Sequence, residues 1–514
     1  MRRLELVLAA FAAVVSGQPA SAAWQRASTM HFIIYANSSQ KRLRDFAERL
    51  EKFDKAVRYV RSMTDPPVGD SNRVTLFVVS NQDAVARLAK DASGRTAGFY
   101  SGRASGSIAI IPQSLNDDDM AGAMTSEVVF FHEYAHHLML SDSARPYPEW
   151  LIEGFAEFMS TALFQKDGSV GLGIAPQFRA FGLLALPQVP LERLLAGNFA
   201  KLSISDRDSF YGRSWLLTHY LNFEPTRRGQ IDSYLADFDK GIVSVVAARH
   251  AFGDLKELNK ALQIYLAKPR LTYVKVLPAV LSVEPVAVDA LSPGAAAVMP
   301  DRIQSKVGVD KTTAEPLAVR VRAIEQRFPG DLLVLRTLAE TELDSGHPAA
   351  AMAAADRALK ADPRDVEAIL FKGRAIEAGS DADRFTVSRR LFIAANNIDK
   401  ENPEPLALFF QSYLHEGLRP NANAVAALHY ASDLAPQDTG LRMNSAIQYL
   451  RDGQTAPGRA ALASVAYDPH GEEAAKVAQA MLALVDAGNP AGALAMVDHK
   501  TGGVMDPKGR PPGK

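Results

Sequence analysis

Apolar positions along the first third of the chain alternate between strand-like and helix-like periods. Short apolar runs at 30–35 and 74–79 predict buried strands, the second rich in β-branched residues. Between them Leu43, Phe46, Leu50, Phe53, Val57 and Val60 recur at helical spacing, predicting a long amphipathic helix over 39–62. A shorter helix is expected over 81–90. The stretches 98–101 and 107–112 predict a strand pair joined by a glycine-rich turn. That turn, 102–106, lacks the lysine and following helix of a phosphate-binding loop. Further on, 206–221 and 231–266 read as helical, broken at Phe252-Gly253-Asp254, and 271–276 as a strand. Residues 277–314, with Pro278, Pro285 and Pro293, read as a connector or small packing element.

From about residue 315 the pattern changes to alanine-rich helices. Prolines recur at Pro329, Pro363, Pro403, Pro436 and Pro469, at intervals of 34, 40, 33 and 33 residues. A period near 34 is the signature of tetratricopeptide repeats. Leu335, Ala339, Ala351 and Ala358, and later Ala424, Leu428 and Ala431, supply the small or apolar positions that let paired helices pack closely. A longer inter-helix loop around 379–384 accounts for the interval of 40.

Composition narrows the picture. The chain has 514 residues, 47% hydrophobic and 22% charged, as in soluble globular proteins. A net charge of −1 gives no global attraction to nucleic acid or to an anionic membrane. The absence of cysteine excludes disulfides, thiolate metal sites, a cysteine nucleophile and a lipidated cysteine anchor. Residues 1–22 read as a secretory signal, with Arg2 and Arg3 leading, an apolar run over 4–15 interrupted by Glu5, and a small-x-small site at Ala20-Ser21-Ala22. The run falls short of the ~20 residues of a spanning helix. The expected location is therefore periplasmic or secreted, with no membrane span after cleavage.

The chemistry concentrates at His132-Glu133-Tyr134-Ala135-His136, a His-Glu-x-x-His sequence. On a helix the two histidines share a face one turn apart and can hold one Zn²⁺, with Glu133 beside them as general base. Val128, Phe131, Ala135, Leu138 and Met139 give that helix an apolar stripe, and Asp117, Asp118 and Asp119 precede it, where the helix dipole favours negative charge. A second helix is predicted from Pro148, carrying Trp150-Leu151-Ile152-Glu153-Gly154-Phe155-Ala156-Glu157. Two histidines and one acid make an open catalytic zinc site. By spacing alone either Glu153 or Glu157 could complete it, and Gly154 lets the helix approach a neighbour closely.

The two motifs together resemble the gluzincin metallopeptidases, which include thermolysin and aminopeptidase N. The resemblance implies that Glu153 is the third metal ligand and that Glu157 hydrogen-bonds a ligand histidine. It also implies that the strand preceding the metal helix, 107–112, is an edge strand pairing with extended substrate; the residues alone read equally well as an ordinary buried strand. In related enzymes a tyrosine on a later helix stabilises the oxyanion; Tyr211 is the candidate and His219 the runner-up. His137, about 100° around the helix from His136, reads as structural or solvent-facing. The Gly-x-Met-Glu-Asn motif of aminopeptidases is absent, which favours an endopeptidase.

The expected protein is an α+β zincin-like metallopeptidase domain followed by an all-α tetratricopeptide superhelix. Its parts are a signal peptide (1–22), a peptidase domain (23–276), a connector (277–314), repeats (315–497) and a disordered tail (498–514). Its ligands are Zn²⁺ and a peptide or protein substrate, with a further protein partner possible through the repeats and no nucleic acid. Two readings compete with it: an inactive peptidase fold serving as a binding scaffold, and the periplasmic zinc peptidases with tetratricopeptide tails, which also combine His-Glu-x-x-His with such repeats but differ around the third ligand.

Overall fold

The computed structural model describes residues 24–498, apart from 67, 95, 116–123, 143–144, 198, 200–201 and 469–470. The expected signal, the three acids ahead of the metal-motif helix, Pro469 and the tail beyond residue 498 lie outside the described residues.

The strands are β1 (Trp24–Ser28), β2 (Phe32–Asn37), β3 (Val74–Val79), β4 (Phe99–Ser101), β5 (Ile108–Pro112), β6 (Leu163–Phe164), β7 (Val170–Leu172), β8 (Val274–Val276) and β9 (Ala287–Ala290). A six-stranded sheet runs β4-β5-β3-β2-β1-β9, and a small one runs β6-β7-β8. In the large sheet β2, β3 and β5 are parallel, while β4, β1 and β9 pair antiparallel to their neighbours. The strand at 107–112 is therefore not an edge. β5 is paired on both sides, and among the described residues β4 is the edge strand, because the turn at 102–106 folds β4 back outside it. β1 and β9 fell outside the predicted strands, and 277–314 proves to be a packing element rather than a plain tether: β9 extends the sheet and the following helix lies beneath it.

The helices of the first part are α1 (Gln40–Arg61), α2 (Gln82–Leu88), α3 (Ser126–Asp142), α4 (Glu149–Ser160), α5 (Ala180–Leu184), α6 (Leu191–Ala196), α7 (Ile204–Phe223), α8 (Gln230–Asp239), α9 (Ser244–Phe252) and α10 (Leu255–Leu266). Strand alternation divides the sheet's contacts. Phe32, Ile34, Leu76, Ala109 and Ile111 join the main core with α1, α3 and α4. Phe77, Val79, Ile108 and Ile110 point the other way and pack on Met299 and Ile303 of α11 (Pro293–Val307).

The remaining helices are α12 (Ala314–Arg327), α13 (Leu332–Asp344), α14 (Pro348–Ala361), α15 (Val366–Glu377), α16 (Arg384–Ile398), α17 (Pro403–His415), α18 (Ala422–Leu434), α19 (Thr439–Arg451), α20 (Thr455–Ala466), α21 (Glu472–Asp486) and α22 (Pro490–Asp498). They stack in consecutive pairs, as a helical-repeat array does. The loop between α15 and α16, residues 378–383, is longer than that between α13 and α14, residues 345–347, but it accounts for only part of the interval of 40: Pro403 opens α17, whereas Pro363 precedes α15. The inward helices of the array, together with α11, face the second side of the sheet and border a half-open cavity of about 1090 Å³, lined by Tyr35 and Phe77 of the sheet, Arg302 of α11, and Arg336, Glu367 and Phe371 of the array. No described helix is long and apolar enough to cross a membrane.

Candidate metal centre

Helix α3 is fixed by its aromatic back. Phe131 stacks on Phe53 of α1 with ring centroids 4.1 Å apart, and Tyr134 packs on Phe32 at 4.7 Å. The Tyr134 hydroxyl also donates to Asp54 Oδ1 at 2.7 Å. With Phe131 and Tyr134 turned to the core, the helical period turns His132 and His136 toward α4. Their Nε2 atoms converge to 3.1 Å.

Helix α4 brings the carboxylate. Glu153 is fully buried, and its Oε2 lies 3.3 Å from His132 Nε2 and 3.6 Å from His136 Nε2. Gly154 is what permits this depth: a Cβ there would stand 2.3 Å from Thr218 Oγ1 and 2.5 Å from the Ser214 carbonyl oxygen of α7. Ligand atoms of His132, His136 and Glu153 all lie within 4.8 Å of one another. Two imidazole nitrogens and one carboxylate oxygen are a donor set that suits zinc. The electrostatics agree with a cation at this point. Burial opposes protonation of His132, yet the hydrogen bond to Glu153 and the charges of Glu157, Glu153 and Glu133 hold its pKa above the ordinary value. The residues present therefore fit the metal that the motif implies.

Glu157, one turn along α4, reaches the other side of the ring, with Oε1 3.5 Å from His132 Nδ1. It is held there by Arg179, whose Nη2 donates to Glu157 Oε1 at 2.6 Å and whose Nε contacts both carboxylate oxygens at 3.2 Å. Arg179 Nη1 bonds Asp208 Oδ1 at 3.1 Å, and its guanidinium lies 4.5 Å from the Tyr211 ring centroid. Sequence reading missed Arg179. It sits in a short turn outside any motif, and only its fold-level position gives it meaning. Tyr211 stands edge-on to His132, ring centroids 5.9 Å apart. Burial, then the Glu153 charge, pushes its phenol well above the ordinary range, so it remains a donor. His132, Glu133, Glu157, Phe178, Arg179 and Tyr211 line a cleft of about 170 Å³.

Two other candidates fall elsewhere. His219 is fully buried, with Nε2 3.0 Å from the Thr272 carbonyl and Nδ1 2.9 Å from the Tyr265 hydroxyl, and it does not line the cleft. Its place as runner-up for the oxyanion is therefore corrected: both ring nitrogens are engaged in packing α7 against α10 and the segment that leads into β8. His137 is buried rather than solvent-facing, with Nδ1 2.6 Å from the Tyr100 hydroxyl. A second group of potential ligands, His31, Glu51 and Asp54, lies behind α3. There Asp54 already receives Arg58 and Tyr134, and Glu51 receives the His31 backbone and ring, so protein cations and donors fill the place of an ion.

A family model described as Tetratricopeptide repeat matches residues 332–375, which span α13, α14 and nearly all of α15. Such repeats generally mediate protein–protein interaction. No curated protein sequence matches the chain.

Proposed function

We propose that the protein is an exported zinc-dependent peptidase of the gluzincin type, with a zincin-like first domain that cleaves internal bonds of peptide or protein substrates. The observation that supports this most is the convergence of His132 Nε2, His136 Nε2 and Glu153 Oε2 beside a cleft that also holds Glu133 and Tyr211. His132, His136 and Glu153 would hold the ion. When bound, zinc supplies Lewis-acid polarisation and acidifies water toward neutrality. Glu133 accepts the proton of the attacking water and then delivers it to the leaving amine. Tyr211, kept protonated by its surroundings, donates a hydrogen bond to the developing oxyanion. Glu157 and Arg179 hold the His132 ring so that its Nε2 faces the other ligands.

Substrate has an edge to lie on. Among the described residues β4 pairs with β5 on one side only, and the adjoining Ala97 and Gly98 line the cleft. An extended peptide can add to that free edge through backbone hydrogen bonds.

The test is metal content of the purified chain, paired with cleavage of an unfolded protein such as casein. About one zinc per chain is expected, with hydrolysis abolished by a chelator. Glu133→Ala should keep the zinc and lose activity by about 10²-fold or more, since it removes the base and no ligand. Activity near wild type in that variant would remove the mechanism and leave a binding scaffold.

A further inference from the structure

The repeat array does not end its contacts at the cavity. The loop between α18 and α19 reaches back to the first domain and lands on the β4–β5 turn. Asp438 Oδ2 accepts the Ala104 backbone N–H at 2.7 Å, and Gln437 Nε2 donates to Ser107 Oγ at 3.2 Å. Both side chains are buried. Gly102 makes the approach possible, because a Cβ there would stand 2.5 Å from the Gln437 carbonyl oxygen. From Ser107 the contact continues inward. Ser107 Oγ is 3.1 Å from the Tyr100 hydroxyl, and that hydroxyl is 2.6 Å from His137 Nδ1. The His137 ring is sandwiched: Tyr100 meets it edge-on at 5.5 Å and Tyr134 stacks on it at 5.3 Å. Separately, Arg442 Nη2 of α19 donates to the Leu140 carbonyl in the last turns of α3 at 3.1 Å.

Tyr100 belongs to the edge strand, and His137 directly follows the ligand His136. Two elements of the cleft, β4 and α3, are thus joined to each other by one hydroxyl, and the Gln437 amide ties that junction to the array beside the Asp438 and Arg442 contacts. Such a continuous chain of buried and half-buried polar contacts rigidifies what it connects.

We propose that Gln437, contributed by the repeat array, is a positioning residue of the metal site: through Ser107 and Tyr100 it fixes the edge strand against the helix that carries both histidines. This rests on reading the cleft as hydrolytic. The array then sets the spacing between a bound peptide and the ligands, and a partner that shifts α18 and α19 changes that spacing.

The test uses the full chain with Gln437→Met, which keeps length and apolar bulk but removes the amide, and with Tyr100→Phe, which removes only the hydroxyl. Amide hydrogen exchange is read at 99–101 and 134–140, and zinc affinity by competition with a chelator. Loss of a direct partner of a ligand histidine costs about 10–100-fold in affinity, so a contact further out should cost roughly threefold. Gln437→Met is expected to speed exchange at 99–101 with little change elsewhere, to weaken zinc by about that factor, and to add nothing further in the Tyr100→Phe background. In peptide turnover the loss should fall on KM more than on kcat. Ser107→Ala cuts the same link from the other side, should Gln437→Met fold poorly. Unchanged exchange at 99–101, a uniform rise across the whole chain, or additive effects of the two substitutions overturns the proposal. The exchange readout needs no metal. A chain that binds no zinc would therefore defeat the peptidase reading, while exchange alone would still decide the role of Gln437.

Discussion

Glu157 Oε1 approaches His132 at Nδ1, on the far side of the imidazole from the Nε2 that faces Glu153. The two acids of α4 thus address one ring from opposite nitrogens and have different work. Losing Glu153 leaves two histidines, whereas losing Glu157 only frees a ring to turn. Glu153→Gln should lose most of its zinc on dialysis against a weak chelator. Glu157→Gln should bind about 10–100-fold more weakly but measurably. Equilibrium zinc titration separates them, and a Glu157→Gln variant that holds no metal would shift the ligand assignment by one helical turn.

Tyr211 and Arg179 make a second pair to be told apart. Tyr211→Phe removes a donor and no contact to the ligands, so zinc affinity should stay and kcat fall by about 10²-fold. Arg179→Met should instead loosen Glu157, weaken zinc, and release the Tyr211 ring from the cation above it. Arg179→Lys is not expected to restore it, because an ammonium cannot hold a carboxylate with two donors while stacking on a ring. Zinc affinity and kcat measured on all three variants check this. Equal zinc loss in Tyr211→Phe and Arg179→Met would count against the division of roles.

Behind the metal helix, His31 carries a pH dependence of stability. Burial disfavours its charge, but the hydrogen bond to Glu51 and the Asp54 charge outweigh it and hold the pKa above its ordinary value. A raised folded-state pKa contributes stability that is fully present below about pH 6.5 and is lost as the pH rises through the folded value. His31→Gln should therefore destabilise the chain by about 3 kcal/mol near pH 6, where it strands a buried carboxylate, and by less at pH 9. Thermal melts of both proteins across that range give the answer. A penalty that grows with pH would contradict the charge assignment.

The metal-motif helix and its partner were legible because their information is local. His132 and His136 share a face through the helical period alone, and Gly154 marks a close helix contact by lacking a side chain. The repeat period was legible for the same reason, since each helix pair is specified within its own stretch. Non-local pairing was not. Nothing in residues 287–290 announces that Ala287–Ala290 pairs with Trp24–Ser28, and strand order cannot be read from a strand's own composition, so the edge that the resemblance implies for 107–112 falls to β4 instead. Arg179 escaped notice because its partners, Glu157 and Asp208, lie more than twenty residues away on either side.

The packing of the array on the sheet bears on any attempt to separate the two. Residues 309–498 enclose the sheet's second face together with α11, whose buried Val298 belongs to the same cluster as Leu317 and Leu338. Ending the chain at Gly308 should expose that apolar face of α11 and release the β4–β5 turn. The expected result is a lower melting temperature and concentration-dependent aggregation, read by circular dichroism and light scattering. A soluble truncate that melts with the full chain would show the array to be an independent appendage.

The pairing of Ala27 with Val288 has a temporal meaning. Strand β1 is synthesised before every other strand of its sheet, yet its outer edge stays open until some 260 residues later, when β9 arrives. Closing so long a loop is entropically slow, and an open strand edge invites pairing with whatever chain is nearest. The sheet therefore cannot be finished from its own N-terminal half. During synthesis the chain passes through a stage in which β1 to β5 exist without β9, the last strand of their sheet.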